Sequence, residues 1–391
     1  MKFVPWIRHA SWMALVCLPM MLQGCGAGSP APALSDIAQL GELAFEDPSL
    51  SASGRLSCAS CHAPETGHAA PNDQAVQMGG AQMDQAGLRS SPSIRYLQNV
   101  PPFHVEADGT PVGGFFWDGR AASLQDQAHG PLLGAREMAN SSQADAVMKV
   151  TRTAWADRFR ALLGIPVESN TPRAFDQLTL ALQQFQLEDR RFKSFSSKYD
   201  EVLRGRARLS AQEARGLALF NAPDKGNCAA CHPSSPGLDG QPPLFTDFSF
   251  DVLGLPRNPE IPANADPAYF DLGLCGRTEL RDRTEWCGAF KVPSLRNVAL
   301  RRALFHNGVF KSLKTALTFY VQRDTHPEKW YPVRADGSVD VFNDLPPAYR
   351  LNVNRSEAPY NRVPGIAPAL SETDIDDVIA FLNTLTDGWV P

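Results

Sequence analysis

Cys58-Ala-Ser-Cys61-His62 and Cys228-Ala-Ala-Cys231-His232 are the two stretches that decide how this chain is read. Two thiols separated by two residues, with an imidazole directly after the second, form the arrangement that attaches a c-type haem. The thiols add to the two vinyl groups, and the histidine reaches the iron. One haem is therefore assigned to Cys58, Cys61 and His62, and the other to Cys228, Cys231 and His232. A zinc site would need a fourth ligand at suitable spacing, and a redox dithiol has no need of the histidine.

Working outward, each motif is preceded by a similar segment. Gly41-Glu-Leu-Ala-Phe45 comes before the first and Gly216-Leu-Ala-Leu-Phe220 before the second. Both read as apolar-patterned helices followed by a loop. The second opens on Ser210-Ala-Gln-Glu213, a capping box that satisfies free backbone N–H groups. An amphipathic stretch runs from Phe175 to Phe195. A last helix starts at Ser371, supported by Asp374, with Ile375, Val378, Ile379, Leu382 and Leu385 on one face. Strand-like alternation is scarce, while 32 prolines and 29 glycines call for long ordered loops. The expected fold is mainly α, with two cytochrome c-like haem domains over 35–205 and 206–391.

A chain of 391 residues is long enough for such domains, and its net charge of -5 with no basic stripe argues against a nucleic-acid partner. Its beginning reads as export. Lys2 and Arg8 precede a short apolar run from Trp12 to Leu22, and Leu22-Gln23-Gly24-Cys25 resembles a bacterial lipobox. The expectation is a lipoprotein-type signal over 1–24 and a tether over 25–34. Membrane contact would then be made only through a lipid on Cys25, on a periplasmic protein; an ordinary secretory signal is the alternative. Of the eight cysteines, Cys17 leaves with the signal, Cys25 is the anchor and four belong to the motifs. Cys275 and Cys287 remain, expected as a disulfide in an oxidising compartment, with two free thiols as the alternative.

None of the eight methionines lies after residue 148, so the second haem has no methionine of its own half as sixth ligand. His306, His326 and the tyrosines are the candidates there. This argues against a plain His/Met electron carrier.

Phe115-Phe116-Trp117-Asp118-Gly119-Arg120, then Gln127, Pro131 and Glu137-Met138, follow the first motif. Val292-Pro293-Ser294-Leu295-Arg296-Asn297-Val298-Ala299, then His306-Asn307-Gly308 and Phe319-Tyr320, follow the second. In this order, over nearly all of the mature chain, the sequence resembles the bacterial dihaem cytochrome c peroxidase superfamily, and within it the MauG-like branch. The resemblance puts Tyr320 where respiratory members carry a methionine as sixth ligand of the second haem. Those members also block the first haem with a histidine on a loop that corresponds here to Met78–Leu88. Gln82 stands at its place, so the first haem is expected to be open.

The resemblance also implies roles. Glu137 would move a proton between the oxygens of hydrogen peroxide, Gln127 would orient the peroxide and Pro131 would shape the wall of the site. Trp117 would relay oxidising equivalents between the haems. Tyr320, as phenolate, would stabilise oxidised iron. Arg296 is expected to contact a haem. Read without the resemblance, Glu137 and Gln127 are solvated polar residues, Trp117 is a core tryptophan, and Tyr320 is a buried tyrosine with His306 or His326 as the ligand. His68, His104 and His129 read as loop or surface histidines, His68 being a minor distal candidate because it lies near His62.

Two departures from the family stand out. Its calcium ion between the haems would be held here by Ser90, Arg301 and Ala303. The adjacent charges of Arg301 and Arg302 disfavour a cation, so a weak calcium site or a guanidinium in its place is expected. An exit tryptophan before the second motif is replaced by Gly226, leaving Trp286 and Trp330 as exit candidates. The cofactors implied are two covalent c-type haems, and the partners are hydrogen peroxide and a protein electron donor or substrate. Three functions follow: a peroxide-driven oxidase of a partner protein, a peroxide-scavenging cytochrome c peroxidase, and a non-enzymatic dihaem electron carrier.

Overall fold

A computed structural model of the protein describes residues 33–238 and 240–391. The readings of the leader over 1–24, of Cys25, and of all but the last two residues of the tether lie outside the described residues.

The first half contains α1 (Asp36–Glu46), the short α2 (Cys58–Cys61), α3 (Leu124–Leu133), α4 (Gln143–Val150), α5 (Ala156–Leu163) and α6 (Thr171–Glu188). The second contains α8 (Ala211–Asn221), α9 (Leu313–Gln322) and α10 (Glu372–Asn383), with α7 (Lys198–Leu203) at the join. Among the described residues strands occur only as two-residue antiparallel pairs: β1 (Met78–Gly79) with β2 (Gln85–Ala86), β3 (His104–Val105) with β4 (Pro111–Val112), and β5 (Phe250–Asp251) with β6 (Phe290–Lys291). The fold is mainly helical, as expected. The capping boxes read from Ser210 with Glu213 and from Ser371 with Asp374 are both formed. Cys275 and Cys287 are joined as a disulfide.

The sequence repeat is a repeat of helix crossings. Gly41 in α1 lies so close to α6 that a Cβ would stand 1.9 Å from the Ala181 carbonyl oxygen. Gly216 in α8 meets α10 in the same way, 1.9 Å from the Asp377 carbonyl oxygen. Only a residue without a side chain allows either approach. Each crossing is the centre of its own core. One core gathers Phe45, Phe159, Phe175, Phe185 and Phe192, and the other gathers Phe220, Phe245, Phe319 and Phe381.

The amphipathic stretch expected to reach Phe195 is helical only to Glu188. Asp189 accepts from the Arg191 N–H and turns the chain into a 3-10 turn over Arg190–Phe192, which still delivers Phe192 to the core. The last loop then ties the halves together. Asp387 accepts from the Tyr96 hydroxyl (2.6 Å), from Arg95 (3.3 Å) and from the Asn297 amide (2.7 Å).

Candidate functional site

Both motif histidines are held by main-chain carbonyls. His62 Nδ1 lies 3.1 Å from Pro92 O and 3.2 Å from His68 O, and His232 Nδ1 lies 2.7 Å from Phe245 O. A carbonyl only accepts, so Nδ1 carries the proton and the Nε2 lone pair is free for a metal. Burial lowers the pKa of both rings and keeps them neutral. It pushes the thiols the other way, Cys58, Cys228 and Cys231 to about 12 and Cys61 to about 11. A redox dithiol needs a lowered thiol pKa, so these pairs are poor ones.

Cys228, Cys231 and His232 share a largely apolar cavity with Leu313, Leu317 and Tyr320 of α9, and with Phe305. Such walls suit a flat apolar macrocycle whose metal is gripped by His232, so the residues present fit a haem. Tyr320 packs against Phe305 at 5.4 Å and against Tyr360 at 5.9 Å. Burial, with Asp251 and the two motif thiols nearby, raises its pKa, so only a strong positive centre would draw off its proton. His306 also lines this cavity, its ring flat on Phe290 at 3.4 Å. His326 is not part of the lining and faces the Thr325 hydroxyl at 3.0 Å.

In the first half, Gln127 and Pro131 lie four residues apart on α3 and so share one face. The Gln127 side chain has no hydrogen-bond partner among the described residues. Glu137 follows in a pinned turn. Its N–H donates to Gly134 O (2.9 Å), and its carbonyl accepts from Gly80 N–H (2.9 Å). A Cβ on Gly134 would stand 2.4 Å from Glu137 Oε2, so a glycine is required for the carboxylate to lie there. Glu137 is exposed to solvent. Desolvation raises its pKa against the opposing pull of Arg120, and its field reaches both Cys58 and Cys61. The Met78–Leu88 loop is built around the β1–β2 ladder and is fastened to this turn by Arg136, which donates to Ala86 O (2.9 Å). Gln82 sits exposed between the two strands.

The internal repeat reaches further than the sequence suggested. Phe115 bridges Ala121 as Leu304 bridges Phe310. Phe116 and Phe305 both have positive φ, 67° and 65°, and so do Gly119 and Gly308. Ser123 and Ser312 then cap ten-residue helices. In this register Trp117 matches His306, and Pro131 matches Tyr320. The match is reciprocal in the backbone: Lys291 N–H donates to Trp117 O (2.8 Å), and Ser90 N–H to His306 O (2.7 Å).

Trp117 is buried, donates from Nε1 to Ser90 O (2.8 Å) and reaches the cavity of the second motif. Arg301 lines the same cavity, with its guanidinium 5.9 Å from the Trp117 ring. It donates to Ala303 O (3.2 Å) and, at 3.5 Å, to Ser91 O. The three places expected for calcium thus contain a guanidinium bonded to the Ala303 carbonyl. The Ser90 hydroxyl is buried without a partner among the described residues.

Of the other residues, His68 is placed differently from expectation and His104 is the surface histidine expected. Arg296 does not line the cavity. Its guanidinium pairs with Asp200 at 2.9 and 3.0 Å and donates to Pro243 O at 2.8 Å, so each of its three nitrogens has a protein partner. His68 is neither a surface nor a distal residue. At φ 54° its backbone turns the ring into the first core, 4.3 Å from Phe192, where it accepts from Arg95 Nε at 3.0 Å. Burial lowers its pKa to about 3, and its carbonyl supports His62 from the proximal side. His104 is exposed beside Glu106, and His129 lies 3.5 Å from the Thr179 hydroxyl. Trp286 is buried under Arg283, and Trp330 packs on Phe310 and Phe319. The correspondence of the two halves has a sequence signal in the Pro-Ser-x-Arg repeat, Pro92–Arg95 and Pro293–Arg296.

Comparison with known proteins agrees with this geometry. The family model for di-haem cytochrome c peroxidase matches residues 35–208. The methylamine utilization protein MauG of Paracoccus denitrificans is 33% identical over 383 residues, 95% of this chain and 94% of that protein. The crystal structure of the diheme peroxidase BthA from Burkholderia thailandensis is similar with a TM-score of 0.83 at 41% identity, covering 90% of this chain and 86% of that one. A MauG-like protein associated with microbial copper homeostasis is similar with a TM-score of 0.63 at 27% identity, over 94% and 95% of the two chains.

Proposed function

The chain belongs to the di-haem cytochrome c peroxidase family, and from that premise we propose that it uses hydrogen peroxide to oxidise a partner protein by long-range electron transfer. It is a haem peroxidase with MauG and cytochrome c peroxidase relatives. The finer reading places it in the periplasm, anchored through Cys25, with the two haems attached covalently at Cys58 and Cys61 and at Cys228 and Cys231.

The observation that carries this reading is the register between α3 and α9. Where the second half offers the Tyr320 hydroxyl, the first offers Pro131, which has no side-chain donor atom. Pro131 would leave the first haem accessible to peroxide, and Tyr320 would hold the second haem and favour its oxidised iron. Bound haem iron supplies the centre at which the O–O bond breaks and the store for the oxidising equivalents. The residues do the rest. Glu137 takes a proton from the near oxygen and returns it to the far one. Gln127, whose side-chain amide has no hydrogen-bond partner among the described residues, would orient the peroxide. Two electrons from the partner and two protons complete the conversion of peroxide to two waters. Trp117, between the halves, carries the electron that links the two centres. A guanidinium at Arg301 makes a bound calcium unnecessary.

Tyr320→Met tests the reading. Loss of a long-lived oxidised state after peroxide, with both haems still bound, is the expected result. An unchanged lifetime, together with unchanged turnover on a reduced small cytochrome, would instead favour a scavenging peroxidase.

A further inference from the structure

Arg301 is a cation that no side chain of the described residues neutralises. No carboxylate pairs with it among the described residues, and its hydrogen bonds go only to main-chain oxygens, Ala303 O and Ser91 O. Its position is central. It lines the cavity of His232, its charge is felt at His62, and its guanidinium stands 5.9 Å from the Trp117 ring. Trp117 and Arg301 are bound to consecutive carbonyls, those of Ser90 and Ser91, so the two groups are held in one fixed relation. Burial lowers the pKa of Arg301 only to about 10, which leaves it charged at neutral pH.

A fixed positive charge in a low-dielectric interior disfavours removal of an electron from any group near it. We propose that Arg301 is the built-in charge of the bridge between the two haems: it raises the reduction potentials of Trp117 and of both irons, so that Trp117 passes an electron without remaining oxidised. Lys291, the other cation on the cavity wall, donates to Gly114 O and lies near Asp118, which makes it the less isolated charge. The inference rests on the two-haem reading above and assigns Arg301 a positioning role in it, since it acts through the field at Trp117 and the irons.

The test is a redox titration of both haems in the holoprotein, for wild type, R301M and R301K, with electron paramagnetic resonance after one equivalent of peroxide. Removing the charge in R301M should move both midpoint potentials downward and leave a persistent tryptophan radical. R301K should stay near wild type. Unmoved potentials in haem-loaded R301M would overturn the assignment and leave the peroxide reading standing, whereas a wild-type chain that carries no haem would overturn both. The wild-type protein offers a second test that needs no substitution. Stripping divalent cations with a chelator, or adding calcium, should leave both potentials in place, because the charge is covalent; a calcium-dependent potential would count against Arg301.

Discussion

Pro131 and Tyr320 occupy the same position of the same helix in the two halves, each eight residues beyond the serine that caps it. The same helix position thus carries a phenol in one half and a ring without a donor atom in the other. If this one difference keeps the first site open, Pro131→Tyr should close it. The variant should turn the first haem from a high-spin to a low-spin ferric spectrum and abolish its fast reaction with peroxide. A high-spin first haem in P131Y would show that the register does not govern ligation.

The charge of Glu137 is felt at both cysteines of the first motif, and desolvation raises its pKa. As the base that accepts peroxide's proton it must be ionised. The rate of peroxide reaction should therefore fall as pH drops through a value above the ordinary carboxylate range. Glu137→Gln should slow the reaction about 10²–10⁴-fold and remove that acidic limb. Stopped-flow rates across pH read both effects, and a limb that survives in E137Q would assign the proton to another group.

The haem motifs, the caps at Ser210 and Ser371 and the twin glycines were legible in the sequence, because each is a local pattern whose chemistry is complete within a few residues. What escaped depends on distant partners. Arg296 reads as a haem contact from its segment, and its pairing with Asp200, far back in the chain, is not visible there. His68 lies six residues from His62, yet a positive φ turns it into the core. The match of Trp117 with His306 is invisible residue by residue and emerges only from shared turns and reciprocal backbone bonds.

Gly216→Ala tests the helix crossing. A methyl group 1.9 Å from the Asp377 carbonyl oxygen must push α8 and α10 apart. A loss of about 1–3 kcal/mol or more is expected from such overpacking, measured by denaturant unfolding of the holoprotein. Wild-type stability in G216A would mean that the crossing is looser than described.

Asp344 is buried beside Asn307, 3.9 Å from both Arg257 and His306, and desolvation raises its pKa from 3.8 to about 7. Between those values the folded chain holds a proton that the unfolded chain has released, so stability should fall as pH rises through this window and level off above it. Asp344→Asn should flatten that slope, which amounts to up to about 4 kcal/mol. An identical pH profile in D344N would assign the slope elsewhere.

In the proposed function the first haem is open in the resting protein and shares its oxidation with the second. The most direct measurement is the absorption spectrum of the fully ferric protein before and after one equivalent of hydrogen peroxide, with no reductant present. A prompt change at both haems that relaxes slowly is expected. No change until the protein is half reduced would contradict it.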